Sequence, residues 1–410
     1  MGERVDVVVV GAGHAGLSIS NELSRSGVEH LVLERARIGE SWRGRWDSFC
    51  LVTPNWSVQL PEHPYDGDDP DGFMLRDEIV AYLERYAAAV GAPIRDQTEV
   101  ENLDPATDGG FALRTSGGEI RARSVVIASG AFQRPRRPRG ADDLPAEIPQ
   151  LDVDGYRNPG ELPSGGVLIV GSGQTGCQIA EELLGAGREV FLACGRAPWA
   201  PRRLGDHDLV WWLAETGFLD QTPEDVAWPA ARRAANVIGT GAGGGHDLNL
   251  RRLRAAGATL LGHFLGAEGR CARFADDLEE SVAWGDDRYR DLMGLFSKLV
   301  AERGLPDPGF ADPPPFEGSA PTDLDLGRIG SVIFTGGFRP DYRRWVHVPD
   351  AFDEAGFPLH VDGASSAVEG LYFVGVHFLR RRKSSLLIGA GEDAAVVGRR
   401  IAAVLGASAD

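Results

Sequence analysis

Apolar residues along the chain fall into short, nearly unbroken runs separated by longer stretches at helical spacing. Val5 to Val10, His30 to Leu33, Val167 to Val170 and the run in RIGSVIF show almost no polar alternation. Such runs predict strands covered on both faces, as in a parallel sheet. Residues 74–91 have the period of an amphipathic helix, as do DLVWWLAETGFL and DDRYRDLMGLFSKLVAERG further on. Thr98 to Leu103, Phe111 to Thr115 and Glu119 to Ile127 read as strands. The last of these enters VVIASG, and the final part of the chain reads strand (GLYFVG), basic loop, helix. Strands alternating with helices predict an α/β fold.

Two of the runs end alike. VDVVVVGAGHAG places Gly11, Gly13 and Gly16 between a strand and a helix, and VLIVGSGQTG repeats this with Gly171, Gly173 and Gly176, each 160 positions on. In this pattern the first glycine allows a tight turn, the second lets a pyrophosphate approach the backbone, and the third permits close helix–strand packing. The helix N-terminus then offers free N–H groups to the anion. Gln174 and Thr175 open the second such helix. Two dinucleotide-binding (Rossmann-like) units are therefore expected, in which Ala128 and Gly130 end a neighbouring strand.

The two units differ where a ribose is read. Glu34, followed by Arg35, stands 18 residues after Gly16, whereas 18 residues after Gly176 stands Cys194, followed by Gly195 and Arg196. A carboxylate accepts hydrogen bonds from a plain ribose and repels a 2′-phosphate, while an arginine pairs with that phosphate. The first site thus reads as one for FAD and the second as one for NADPH, with Arg196 on the phosphate and Arg202 and Arg203 as further candidates.

Composition narrows the class. The chain has 410 residues with a net charge of −18, which argues against nucleic acid and anionic membrane surfaces as partners. No apolar run approaches the ~20 residues of a membrane helix, and the N-terminus lacks a signal-peptide layout. The four cysteines are scattered without a CxxC, so a reducing cytoplasm is expected and a thioredoxin-reductase type of chemistry is set aside. His207–Asp208 and His246–Asp247 lack the further ligands that a metal needs. Residues 36–67, rich in Trp, Arg and Pro, predict a loop packed against a flat ligand. Trp211 and Trp212 could line a pocket, make a subunit contact or pack in the core. Arg380 to Lys383 could be a solvated loop or a contact to an anionic ligand.

The whole pattern, with its two glycine units, the VVIASG and VIFTGG strand ends and the GLYFVG segment, resembles the flavin-containing (class B flavoprotein) monooxygenases. Stretches such as ACGRAPWAPRR and VGVHFLRRRKSSLL further resemble a bacterial subfamily of flavin-dependent oxidoreductases encoded beside nitrilase genes. The resemblance implies a two-domain flavoprotein fold, with a discontinuous FAD domain over 1–160 and 325–410. An NADPH domain would span 161–324 and carry an inserted helical segment. It implies that Gly39, Ser41 and Trp42 lie beside the flavin and its pyrophosphate, and that the Val100 backbone holds the adenine. Gly375, Ser385 and Leu386, with His377, would serve the flavin from the last segment, and Asn55 would be the active-site asparagine. The implied activity is an NADPH- and O2-using monooxygenation of a small nitrogen- or sulfur-containing substrate through a flavin peroxide, in a possible homodimer. One departure bears on this. In the fingerprint FxGxxxHxxx(W/Y/F), Tyr156 keeps the aromatic position, but Asp152 stands for the His, and Ala146 and Ile148 stand for the Phe and Gly. An NADPH oxidase or flavin-dependent dehydrogenase without oxygen insertion, or a flavin and NADPH sensor, therefore stays open.

Overall fold

A computed structural model describes residues 3–226 and 236–406. Strand β1 (Glu3–Val10) and strand β4 (Gly166–Val170) organise two sheets. In the first sheet, β1 pairs in parallel with β2 (His30–Leu33) on one side and with β3 (Gly118–Ile127) on the other. Ile94–Arg95 extends the sheet beyond β2, and β8 (Leu371–Phe373) pairs in parallel with β3. Val100–Pro105 and Phe111–Thr115 form an antiparallel extension running off β3.

The second sheet is all parallel. Its order is Gln150–Asp152, β7 (Ile329–Phe334), β4, β5 (Val190–Ala193) and β6 (Thr259–Leu261). Gln150–Asp152 and β7 were expected within the FAD segment, yet both belong to this second sheet. The reason is register: residues 166–170 pair along 329–334, so the chain must return to the second sheet before crossing to the first.

The absence of polar alternation has its predicted cause. Val7 and Val9 enter one core while Val8 and Val10 enter another on the opposite face. In β4, Val167 and Ile169 are likewise separated from Leu168 and Val170. Helix α1 (His14–Arg25) covers the first sheet and crosses α5 (Ala390–Leu405) closely. A side chain at Gly398 would stand 2.9 Å from the Cβ of Glu22. Helix α2 (Gln174–Gly185) plays the part of α1 on the second sheet.

A third body of apolar residues joins α3 (Leu209–Glu215) to α4 (Leu278–Arg303), which begins a full two turns before the expected stretch. Trp212 is core, with its indole N–H donated to the Leu204 carbonyl at 3.1 Å, while half-buried Trp211 stacks on His207 with ring centroids 3.7 Å apart. The basic run fits neither of its expected roles. Arg381 and Lys383 both pair with Asp220 and Glu392, and Arg380 pairs with Asp362 and Asp393. Arg382 donates twice to Gln221 and lies 4.1 Å over Phe218. The run is a clamp that fastens the segment after α3 to the start of α5. Among the described residues no helix is long and apolar enough to cross a membrane.

Candidate functional site

Both glycine turns lie where strand order reverses, since the chain leaves β1 and β4 toward opposite sides of each. Ligands in open α/β sheets bind at such points, outside the carboxyl ends of the strands. Gly11 has φ +111°, and a side chain there would meet the Ala128 carbonyl oxygen at 2.6 Å; Gly171 has φ +118° and faces the Thr335 carbonyl at 2.9 Å. Gly16 and Gly176 have no room either, with the Gly11 and Gly171 carbonyl oxygens 1.9 and 2.0 Å from where a Cβ would stand. Gly13 and Gly173 are different. Both have ordinary negative φ, no side chain caps the helix behind them, and nothing lies within 4 Å of an added Cβ. The space in front of each middle glycine is open, as a pyrophosphate cradle requires.

Around the first turn, Glu34 is buried and its carboxylate accepts the Ala12 N–H at 2.8 Å and the Ala36 N–H at 3.0 Å. This fixes the acid at the end of β2 against the turn, with lone pairs remaining for a ribose. Its own carbonyl accepts the Thr98 N–H at 2.8 Å, which draws the strand containing Val100 alongside. Arg35 and Ser41 are exposed. Gly39 has φ +70° and donates its N–H to the Ala12 carbonyl, so the IGESW turn sits directly on the glycine turn. The last segment arrives from the other side: a side chain at Gly375 would stand 2.7 Å from the Ala15 Cβ, and the Ser385 carbonyl lies 3.3 Å from His14 Nε2. Ser385 Oγ is 3.5 Å from His377 Nδ1, and Leu386 follows in the same turn, donating its N–H to Lys383. Gly130 accepts from the Gln133 amide and the Tyr342 hydroxyl.

Asn55 does not serve as a free amide. It is buried, accepts the Met74 N–H at 2.7 Å and donates to the Asp69 carbonyl at 2.9 Å, so both ends of its side chain hold the loop's own backbone. The expected active-site role is corrected to a structural one.

The second site shows two further corrections. The Gln174 side chain brackets the Gly239 backbone, donating to its carbonyl and accepting its N–H at 2.9 Å, so it closes a loop rather than facing a ligand. Arg202 is 2% exposed and already paired with Asp208 at 2.7 Å and the Val52 carbonyl at 2.7 Å, only its Nη2 lacking a partner among the described residues, which counts against it as a phosphate candidate. Asp247 accepts the Arg202 N–H and His246 pairs with Glu181 at 2.6 Å, so these groups are internal contacts. Arg203 is exposed, and Thr175 is half-buried in the first turn of α2. Arg196 is exposed just past β5. Asp152, at the fingerprint histidine position, makes a two-pronged pair with Arg137 at 2.8 and 3.1 Å, and Arg137 lies 4.7 Å over Phe334. Buried Tyr156 donates to Glu182 at 2.8 Å.

Several members of the site carried no sequence motif. The Thr335 hydroxyl donates to the Gly171 carbonyl at 2.7 Å and buttresses the second turn. Ser172 Oγ accepts the Gly195 N–H at 2.9 Å and donates back to its carbonyl at 3.2 Å, tying that turn to the end of β5. Threonine in VIFTGG and serine in GSG were legible as residues, but their bonds depend on strand adjacency. The Trp42 indole N–H and the Arg45 Nε–H are both buried without a partner among the described residues. Trp42 lies 6.2 Å from the His14 ring, and the Arg45 guanidinium lies 5.8 and 5.9 Å from the Phe49 and Phe132 rings. Unpaired buried donors beside an open glycine cradle fit a large ligand rich in acceptors, as a flavin dinucleotide is.

Two buried titratable groups flank this region and oppose each other. Burial lowers His14 to about 4, so it is neutral at pH 7, and burial raises Asp393, in the first turn of α5, to about 6. The stability tied to His14 is complete above its unfolded value near 6.5 and is lost as pH falls toward 4. That tied to Asp393 is complete below about 4 and is lost as pH rises through 6. Each amounts to about 3 kcal/mol across its window, so they offset in between. In thermal melts of the apoprotein from pH 6.5 to 4, His14→Asn is expected to gain stability on acidification relative to the parent, and Asp393→Asn to lose it. Parallel curves for all three proteins would refute the assignment.

Comparison with known proteins agrees with this architecture. Residues 8–214 match the family model described as pyridine nucleotide-disulphide oxidoreductase. Over 393 residues the chain is 32% identical to an uncharacterized CzcO-like oxidoreductase of Geobacillus kaustophilus, covering 95% of this chain and 96% of that one. It is 34% identical over 184 residues to the rice indole-3-pyruvate monooxygenase YUCCA1, covering 43% and 44% of the two chains. The solved flavin-containing monooxygenase of Stenotrophomonas maltophilia superposes with a TM-score of 0.70 at 20% identity, covering 98% of this chain and 99% of that one. With its paired glycine turns at two sheet switch points, the chain belongs to the pyridine nucleotide-disulphide oxidoreductase family of oxidoreductases.

Proposed function

We propose that the chain is an NADPH-dependent flavin monooxygenase that transfers one oxygen atom of O2 to a small nitrogen- or sulfur-containing substrate. Its cofactors are FAD and NADPH. The observation that carries this reading is the pair of open middle glycines, Gly13 and Gly173, each at the carboxyl end of a central strand of its own sheet, with Glu34 at the ribose position of the first unit and Cys194, followed two residues on by Arg196, at that of the second. FAD is held by the turn at Gly11 to Gly16, by Glu34 and by the Gly39–Trp42 and Gly375–Leu386 segments. NADPH is held by the turn at Gly171 to Gly176 and by Arg196. The domain division follows the sheets, so the boundaries move inward: roughly 1–145 and 336–410 for FAD, and 146–335 for NADPH.

When bound, the flavin would supply hydride acceptance from NADPH and electron transfer to oxygen, so the hard chemistry is the cofactor's. The chain's own groups position the cofactor. His14 opens α1 beside the pyrophosphate turn and is tied to the last segment through the Ser385 carbonyl. The unpartnered Trp42 and Arg45 donors orient the dinucleotide where it meets their loop. Cys50, Cys177, Cys194 and Cys271 are free thiols, and the sequence has no CxxC.

The Arg137–Asp152 pair favours one rival. It fills the fingerprint position with a closed ion pair, which supports an oxidase that releases peroxide without oxygen insertion. Product analysis under labelled dioxygen decides between them. A monooxygenase is expected to consume NADPH and O2 in equal amounts and to place one labelled atom in a sulfide or amine product. Peroxide equal to the NADPH consumed, whatever amine or sulfide is added, would replace this reading with the oxidase.

A further inference from the structure

The end of β5 has a neighbour on the adjacent strand, away from the glycine turn. Parallel pairing aligns Ala193 with Leu261, so Gly195 on one strand end faces His263 on the next. The imidazole is fixed from behind. Asp277, at the start of α4, holds His263 Nδ1 at 2.5 Å with one carboxylate oxygen and accepts the His263 backbone N–H at 2.9 Å with the other. A carboxylate on Nδ1 fixes the ring's orientation and turns Nε2 outward. Here Nε2 is the atom nearest Gly195, 3.1 Å from where a Cβ would stand, so the glycine leaves the ring room to reach across. Ser172 fastens Gly195 to the glycine turn on the far side. Exposed Arg196 adjoins this spot.

We propose that His263, oriented by Asp277, is a specificity-determining residue that reads the 2′-phosphate of the nicotinamide dinucleotide together with Arg196. The inference rests on the assignment of NADPH to the second site. It supplies what the missing acid at Cys194 leaves open, because removal of a repelling carboxylate permits a phosphate but a second donor is needed to select it. Asp277 does not cancel this role: its two oxygens are engaged by the His263 backbone N–H and by Nδ1, on the ring edge turned away from Gly195, and the phosphate's own negative charge favours the doubly protonated ring that donates to it from Nε2.

The test uses the flavin-loaded full chain and isothermal titration with two probes that lack nicotinamide, 2′,5′-ADP and 5′-AMP. His263→Ala is expected to weaken 2′,5′-ADP about tenfold, equivalent to ~1.4 kcal/mol, with 5′-AMP unchanged within about twofold. His263→Arg should restore the difference. Asp277→Asn, which leaves the ring without its anchoring charge, should weaken 2′,5′-ADP by a smaller factor in the same direction. An equal loss for both probes would mean simple packing against adenosine and overturn the proposal, as would no loss at all. Absence of any 2′,5′-ADP preference in the unaltered protein would also overturn it. Bleaching of the flavin by NADPH, measured separately, then tells whether the NADPH assignment itself has failed.

Discussion

Gly13→Ala is expected to give a folded protein that has lost its yellow colour, and Gly173→Ala a yellow one that NADPH no longer bleaches. The two positions share a geometry in which alanine meets no steric conflict within the fold. Gly13 has φ −83° and ψ −176°, Gly173 has φ −72° and ψ −172°, and neither would bring a Cβ within 4 Å of another atom. An alanine at a helix N-cap costs about 1 kcal/mol relative to glycine, too little to unfold the domain. The methyl group would instead occupy the space through which a pyrophosphate approaches the backbone. Crowding of that kind costs ~1–3 kcal/mol, or a fall in affinity of up to about a hundredfold. The control is Gly16→Ala, where the methyl would stand 1.9 Å from the Gly11 carbonyl oxygen. That variant must push α1 off β1 and is expected to lose stability in the apoprotein as well as flavin. The ratio of flavin to protein absorbance, the anaerobic bleaching rate and apoprotein melting temperatures separate the three. Retention of full flavin by Gly13→Ala, with bleaching unimpaired in Gly173→Ala, would remove the basis for placing dinucleotides at these turns.

What could be read from the chain alone follows from which interactions are local. The glycine turns are legible because strand, turn and helix are contiguous, and each glycine answers a constraint within a few residues or at a sheet neighbour of fixed position. Apolar runs such as Val5 to Val10 announced burial on both faces, and Val7 and Val8 do enter different cores. Groups that meet across long separations were not legible. Asn55 was placed near the chemistry but is consumed by Met74 and Asp69, and the Gln174 amide is consumed by Gly239, 65 residues away. The basic run illustrates the same limit. Its charge was evident, yet its partners Asp220 and Gln221 lie 161 residues earlier and give no sign of it in composition. His263 belongs with these, since only the pairing of β5 with β6 sets it opposite Gly195.

Asp208→Asn is expected to be among the most destabilising conservative changes in the molecule, and to loosen the loop that closes on the second glycine turn. Arg202 and Asp208 are 2% and 7% exposed, and the Arg202 Nη2 is already without a partner among the described residues. Burial opposes both charges, pushing the guanidinium's proton affinity down and the carboxyl's up, and their mutual attraction works against each shift. A buried pair of this kind adds little net stability, but removing one member strands the other at a cost of about 3–5 kcal/mol. Asparagine still offers an oxygen to the Val210 N–H, which Asp208 accepts at 2.8 Å at the start of α3, so the cap is kept and the charge effect is isolated. A fall in melting temperature of roughly 5–15 °C is expected. Arg202→Met with Asp208→Asn, which removes both charges, should recover more than half of that loss. The functional consequence runs through Gly239, whose added Cβ would lie 3.3 Å from both Arg202 Nη1 and Val52 Cγ1 and whose backbone is bracketed by Gln174 at the head of α2. Loosening Arg202 frees this loop, so the single variant should bind NADPH several-fold more weakly while keeping its FAD. A double variant less stable than the single one would show that the pair itself, rather than the stranded charge, sustains this corner of the fold.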